Sequence, residues 1–313
     1  MMLYHIDSFT RTPFRGNPAG VVLDADGLSD AQMQDIAREL KHSETAFVLR
    51  PTAADHDVWV RFFTPTIEVP VCGHATIAAH YALAHARRLP PGSVTVQRTG
   101  AGLQRIRSVR EGGDWRIEIE QGPISFGEPL DGAWRARAAA ALRLAGGVSA
   151  LDAARPLQVV STGHSKVMVP LRDDYPLDSL APDLPALASL SAELGCNGWF
   201  PFVISGPRRT DGRMFAPAIG IDEDPVTGNA NGPLGAYLVR HKLMAHDGVS
   251  LAFEGHQGRA LRREGVVHVR VDIAVGANGD AAPQRVTIAG DAAILFRAPF
   301  AVRAASPHAA ADR

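Results

Sequence analysis

Apolar and polar positions alternate along this chain with a period that changes from segment to segment. Residues 4–9 and 19–23 form short β-type runs, separated by the turn-rich Arg15-Gly16-Asn17-Pro18. Ser29 then predicts a helix start, with Gln32 three residues on as its capping-box partner. Met33, Ile36, Ala37 and Leu40 follow at i, i+3, i+4 and i+7, giving that helix one apolar face. Residues 45–49 and 58–63 return to strand, and in the second Val58, Val60 and Phe62 alternate with Trp59 and Arg61. An Ala-rich run predicts a helix from 75 to about 86. Strands are expected at 94–97, 103–109 and 115–120, the last with Trp115, Ile117 and Ile119 on one face.

The second half repeats this plan. Glu44-Thr45-Ala46-Phe47 lies over Asn197-Gly198-Trp199-Phe200, which makes Asn197 the expected counterpart of Glu44. Arg61-Phe62-Phe63-Thr64-Pro65 lies over Arg213-Met214-Phe215-Ala216-Pro217, and Gly73-His74-Ala75 over Gly228-Asn229-Ala230. Each tripeptide opens an apolar helix with a tyrosine inside it, Tyr81 and Tyr237. We read this as a duplication with an N-terminal half at 1–121, a C-terminal half at 122–284 and a tail at 301–313. Strands near 285–288 and 293–296 are expected to return to the first half. Two copies related by a pseudo-twofold axis turn equivalent loops towards each other, and ligands favour such clefts.

Composition narrows the classes of function. The 313 residues carry a formal net charge of −1, with 46% hydrophobic and 21% charged side chains, an ordinary globular balance for about two domains. Neutral charge and the lack of a long Lys/Arg run argue against nucleic-acid binding. No stretch reaches the roughly 18 uninterrupted apolar residues of a membrane span, and no signal peptide is recognisable. Two distant cysteines, Cys72 and Cys196, make no disulfide framework, so a reduced, cytoplasmic setting is expected.

The candidate chemistry gathers at the duplicated helix starts. Cys72-Gly73-His74 and Asp224-Pro225-Val226-Thr227-Gly228-Asn229 each lead into a helix, whose free N–H groups attract a carboxylate or phosphate. Glycine lets a ligand approach the backbone closely. Either segment alone also reads as an ordinary capped turn; the repetition favours a binding role. Glu44 opens an apolar run, where partial burial would raise its pKa towards neutrality, as a proton shuttle requires. His74 could orient a substrate or be a second acid–base group, and Asp224 stands beside the second helix start. His80 and His85 lack the i, i+4 spacing of a helical metal site with His74, so no metal is expected. Walker and dinucleotide fingerprints are absent, and no cofactor is expected. Lys166, in the strand-like 166–169, is expected as an exposed alternate residue.

Taken together these segments resemble the PhzF-like family, which shares the diaminopimelate epimerase fold. The resemblance covers Asp7-Ser8-Phe9, Phe14-Arg15-Gly16-Asn17-Pro18-Ala19-Gly20, His42-Ser43-Glu44-Thr45-Ala46-Phe47, Glu68 to Thr76, and Glu223 to Gly228. It implies an α+β (α/β) protein of two pseudo-symmetric domains, each a curved, mostly antiparallel sheet around a central helix, and a homodimer. It also implies an isomerase without cofactor, acting on a small carboxylate. Glu44 would move the proton, with His74 and Asp224 assisting and Gly73, Gly228, Asn229 and Asn17 at the substrate. Asn229 departs from the serine usual after this glycine. Against the epimerases, Cys72 takes the place of the first catalytic cysteine while the second falls near Pro225, so two-thiol racemisation is not expected. An amino-acid racemase and a silent carboxylate-binding protein are the alternatives.

Overall fold

A computed structural model describes residues 1–87, 89–275 and 280–301. The tail expected at 301–313 lies outside the described residues except for residue 301. Each half wraps β-strands around one buried helix. In the first half, Met2–Ser8, Asn17–Leu23, Thr45–Leu49, Val58–Phe63, Ser93–Thr99, Gly102–Glu111, Asp114–Glu120 and Ala281–Pro299 pair in a closed ring. Only two of those pairings are parallel, Asn17–Leu23 with Thr45–Leu49 and Val58–Phe63 with Ser93–Thr99. Helix Gly73–Arg87 runs inside the ring and is buried on every side from His74 to Ala84. That enclosure explains its alanines: a helix apolar all round belongs in a core, and small side chains let the strands close on it.

The second half repeats the order around helix Gly228–Arg240, with Ser165–Pro170 parallel to Trp199–Gly206 and Arg209–Gly212 parallel to Ser250–Gln257. Helices Asp30–Leu40 and Leu184–Leu194 cover the outer faces at corresponding places, each over its own apolar cluster. The capping box at Ser29 forms as read, with Gln32 N donating to Ser29 Oγ and Ser29 N to Gln32 Oε1. Among the described residues, no helix is long and apolar enough to cross a membrane.

The halves are joined by two exchanged strands. The last strand, Ala281–Pro299, first pairs with Gly265–Val275 of the second half and then with Met2–Ser8 of the first. In the opposite sense, Asp114–Glu120 pairs with Gly102–Glu111, and the next strand, Ser125–Pro129, pairs with Gln158–Ser161. The exchanged strands meet along Thr287–Asp291 and Arg116–Glu120. Both central helices therefore share one apolar core, in which Ile77, Ala78, Leu234 and Ile288 all take part.

Two readings of the sequence change here. Cross-strand pairing sets Thr45 opposite Phe63 and Trp199 opposite Phe215. With Phe63 and Phe215 equivalent, Trp199 answers to Thr45, and the counterpart of Glu44 is Gly198 rather than Asn197. The second correction is Lys166, which is 3% exposed. Its strand is covered on both faces: Val167 and Val169 lie in the outer cluster, whereas Lys166 shares the inner face with Met168 of the central core. Alternation says which residues share a face, and burial of both faces hides which one meets water.

Candidate active site

Ser43 and Glu44 immediately precede strand Thr45–Leu49. Ala46 and Val48 of that strand point into the central core and Phe47 and Leu49 into the outer cluster, so Glu44 continues the inward row. It meets the N-terminus of helix Gly73–Arg87. Glu44 Oε2 is 3.4 Å from His74 Nε2, and the two side chains are only 13% and 7% exposed. Ser43 Oγ lies 3.3 Å from the same ring nitrogen, and Cys72 Sγ lies 3.5 Å from His74 Nδ1. Ser8 Oγ donates to the His74 carbonyl at 2.8 Å and fixes the helix start.

Burial dominates the charges in this cluster. It raises the Glu44 pKa against hydrogen bonds from Ser43 and Cys72. Burial lowers the His74 pKa, opposed by the Asp224 carboxylate. The Cys72 thiol is pushed well up, first by burial and then by Glu44. Glu44 and His74 are thus a neutral hydrogen-bonding pair rather than a fixed ion pair, since both charged forms are disfavoured.

Asp224 approaches from the other half, at the end of strand Ile221–Asp224. Its Oδ1 accepts from Asn17 Nδ2 at 2.8 Å, and its Oδ2 accepts from Thr227 Oγ1. Gln257 Nε2 donates to its carbonyl at 2.8 Å. Burial raises its pKa; His74 pulls it down and Glu44 pushes it up, which puts the three groups within one another's field. The expected trio therefore shares one electrostatic neighbourhood, in which Glu44 and His74 are in direct contact. Asn17 is a brace between the halves, because its amide also donates to the Val226 carbonyl at 2.9 Å. Alongside it, buried Asp7 pairs with Arg263 at 2.6 Å, and Arg263 Nε donates to the Gly16 carbonyl at 3.0 Å.

The two helix starts differ in the space they leave. A Cβ built on Gly73 would meet nothing within 4 Å, whereas one on Gly228 would lie 2.4 Å from Ile288 Cδ1 and 3.2 Å from Phe9 Cζ. Gly73 has no packing partner that demands glycine, and Gly228 does. Asn229 keeps a buried Oδ1 at the second helix start that has no partner among the described residues. Cys72 accepts a backbone bond from Thr76, and Thr227 accepts the matching bond from Asn231. The counterpart of Cys72 is accordingly Thr227, two residues beyond Pro225, and its hydroxyl is committed to Asp224. His80, by contrast, is an interior histidine whose Nε2 meets Gln97 Oε1 at 2.9 Å.

Glu44, Cys72 and His74 also bring one donor atom each within 4.8 Å of one another, a set that could hold a metal ion. A metal would need the thiolate, so its binding would release the Cys72 proton that burial and Glu44 hold in place in its absence. Sequence reasoning gave no supporting role to Ser43 and Thr227, although both stand in the motifs quoted above, and it missed Gln257 and Arg263, which lie outside those motifs and reach the site only through the fold.

Residues 6–298 match the model of the PhzC-PhzF family, described as phenazine biosynthesis-like protein. The chain belongs to that family. This PhzF-family chain is 56% identical to an uncharacterized isomerase of Salmonella typhimurium, YddE, over 96% of its length and 98% of the relative's. It is 36% identical to the trans-2,3-dihydro-3-hydroxyanthranilate isomerase of Pseudomonas chlororaphis, over 75% of its own length and 79% of that enzyme's. Among solved structures, a PhzF-family phenazine biosynthesis protein of Bacillus anthracis superposes with a TM-score of 0.83 at 30% identity, covering 96% of this chain and 99% of that one. The PhzF-family chain is an isomerase with the α+β fold of the diaminopimelate epimerase type.

Proposed function

We propose that this isomerase moves a proton on a small cyclic or unsaturated carboxylate, without a cofactor, using Glu44 as both base and acid. The observation that carries the reading is the enclosed contact between Glu44 and His74, 3.4 Å apart beside an open glycine helix start. Burial brings the carboxyl towards the pH at which it can both take and return a proton. In its ionised form Glu44 removes a proton from a carbon adjacent to the unsaturated system. The C–H bond breaks, an O–H bond forms, and the electron pair enters the conjugated system. The same proton then returns to another carbon, so substrate and product have the same composition. His74, held neutral, donates or accepts a hydrogen bond as Glu44 changes charge. N–H groups at Gly73 and its neighbours would stabilise the negative charge that develops on the unsaturated system as the proton leaves. The name of the Pseudomonas relative, a cyclic unsaturated carboxylate isomerase, supports this substrate class.

Glu44→Gln keeps the shape and removes the titratable oxygen. It is expected to reduce turnover by about 10²–10⁴-fold, with an unchanged circular dichroism spectrum. Cys72→Ser, which leaves a hydrogen-bonding group beside His74, is expected to retain turnover. Turnover that survives Glu44→Gln and disappears with Cys72→Ser would move the chemistry to the thiol.

A further inference from the structure

Lys166 is a buried amine that the reading above does not use. It is 3% exposed, and among the described residues its Nζ has a single hydrogen bond, a long one of 3.4 Å to the Ser165 carbonyl, and no carboxylate within ion-pairing distance. Its place is matched by symmetry to the place of the acid–base group. In the first half, parallel pairing sets Gly20 beside Thr45, and hence Ala19 beside Glu44. In the second, it sets Val167 beside Trp199, and hence Lys166 beside Gly198, whose carbonyl accepts from Val167 N at 2.8 Å. Each half therefore has one small residue and one ionisable residue at this level. The ionisable group has moved to the neighbouring strand, and an amine replaces the carboxyl.

Gly198 cannot regain a side chain, since a Cβ there would lie 2.5 Å from Met214 Cε and 2.6 Å from the Phe215 carbonyl. Lys166 shares the inner face of its strand with Met168, and that strand packs against helix Gly228–Arg240. The Asp224 carboxylate raises its pKa against the effect of burial. A buried cation without a fixed anion is costly unless a bound anion completes it.

We propose that Lys166 is the cationic contact for the substrate's carboxylate on the C-terminal wall of the cleft, opposite Glu44, and so a specificity-determining residue. This rests on the carboxylate reading given above. Glu44 and Lys166 then divide the work: one moves the proton, and the other fixes the end of the molecule that does not react. Burial holds the amine down at about 8, while Cys196 and Asp224 oppose that shift. The groups facing it are Asp224 ahead of the Gly228 helix, Cys196 ahead of the Trp199 strand, and His164 in the preceding turn, whose own pKa Lys166 lowers.

The test is calorimetric binding of three acids, 3-hydroxyanthranilate, benzoate and cyclohex-1-ene carboxylate, each against its uncharged amide. The full chain, Lys166→Met and Lys166→Arg are compared at pH 6.5 and pH 9, with thermal melts confirming the fold. Wild type should prefer acid over amide by tenfold or more at pH 6.5 and lose most of that preference at pH 9, as the amine loses its proton. Lys166→Met should show no preference at either pH, and Lys166→Arg should keep it at both. A wild-type preference that persists in Lys166→Met overturns the role of the lysine and leaves the carboxylate reading standing. Wild type that never favours an acid over its amide overturns the carboxylate reading and the lysine's role with it.

Discussion

The burial that prepares Glu44 for proton transfer also makes it a liability to the folded state. Its pKa is raised in the folded protein above the ordinary 4.5. The folded state therefore holds that proton more tightly than the unfolded chain, and stability from this group is lost as pH rises above about 4.5 through the folded pKa. Glu44→Gln should consequently melt close to wild type at pH 4 and above it at pH 7.5. Equal melting temperatures across that range would show that Glu44 is not desolvated. Glu44, His74 and Asp224 were legible in the sequence because each adjoins a duplicated or apolar segment whose chemistry is local. Lys166 was not, since Lys-Val-Met-Val alternates identically whether one face of a strand is covered or both. Thr227 was read only as part of a helix start; its bond to Asp224 depends on a turn that three residues of sequence do not specify.

Among the elements, the two central helices show that similar sequence positions carry different loads. Gly228→Ala would press a methyl group against Ile288 and Phe9 in the shared core. Overpacking of this kind costs about 1–3 kcal/mol, measurable by urea unfolding. Gly73→Ala meets nothing within 4 Å, so stability should change by less than about 0.5 kcal/mol while turnover falls. The opposite order of stabilities would mean that Gly73 serves packing. Strands 45–49 and 58–63 and the capping box at Ser29 follow from period and capping chemistry, and they form where the sequence places them. The register of the duplication slipped by one residue, because sequence similarity cannot see that Trp199, rather than Phe200, takes the outward place of its strand.

Across the whole molecule, the exchanged strands tie the halves into one cooperative unit. Ala281–Pro299 serves both sheets, and the central helices share one core, so neither half can open without exposing the other. Scanning calorimetry should give a single transition whose van't Hoff and calorimetric enthalpies agree. Two resolved transitions would show that the halves fold independently. The same coupling keeps Asp224 in the field of Glu44 and His74, with Asn17 donating across the boundary. The exchange itself was only partly legible: the return of the last strands was expected, but the reciprocal path through Ser125–Pro129 leaves no local signature.

The central claim is that Glu44 moves a proton on a small carboxylate, and proton NMR in deuterated water tests it most directly. Wild type and Glu44→Gln are incubated with cyclic and unsaturated carboxylates, including trans-2,3-dihydro-3-hydroxyanthranilate. Both deuterium incorporation and rearranged product are scored, because an internally returned proton leaves no label. Rearrangement or exchange with wild type, and neither with Glu44→Gln, is the predicted result. The same rearrangement with both proteins would contradict the role assigned to Glu44.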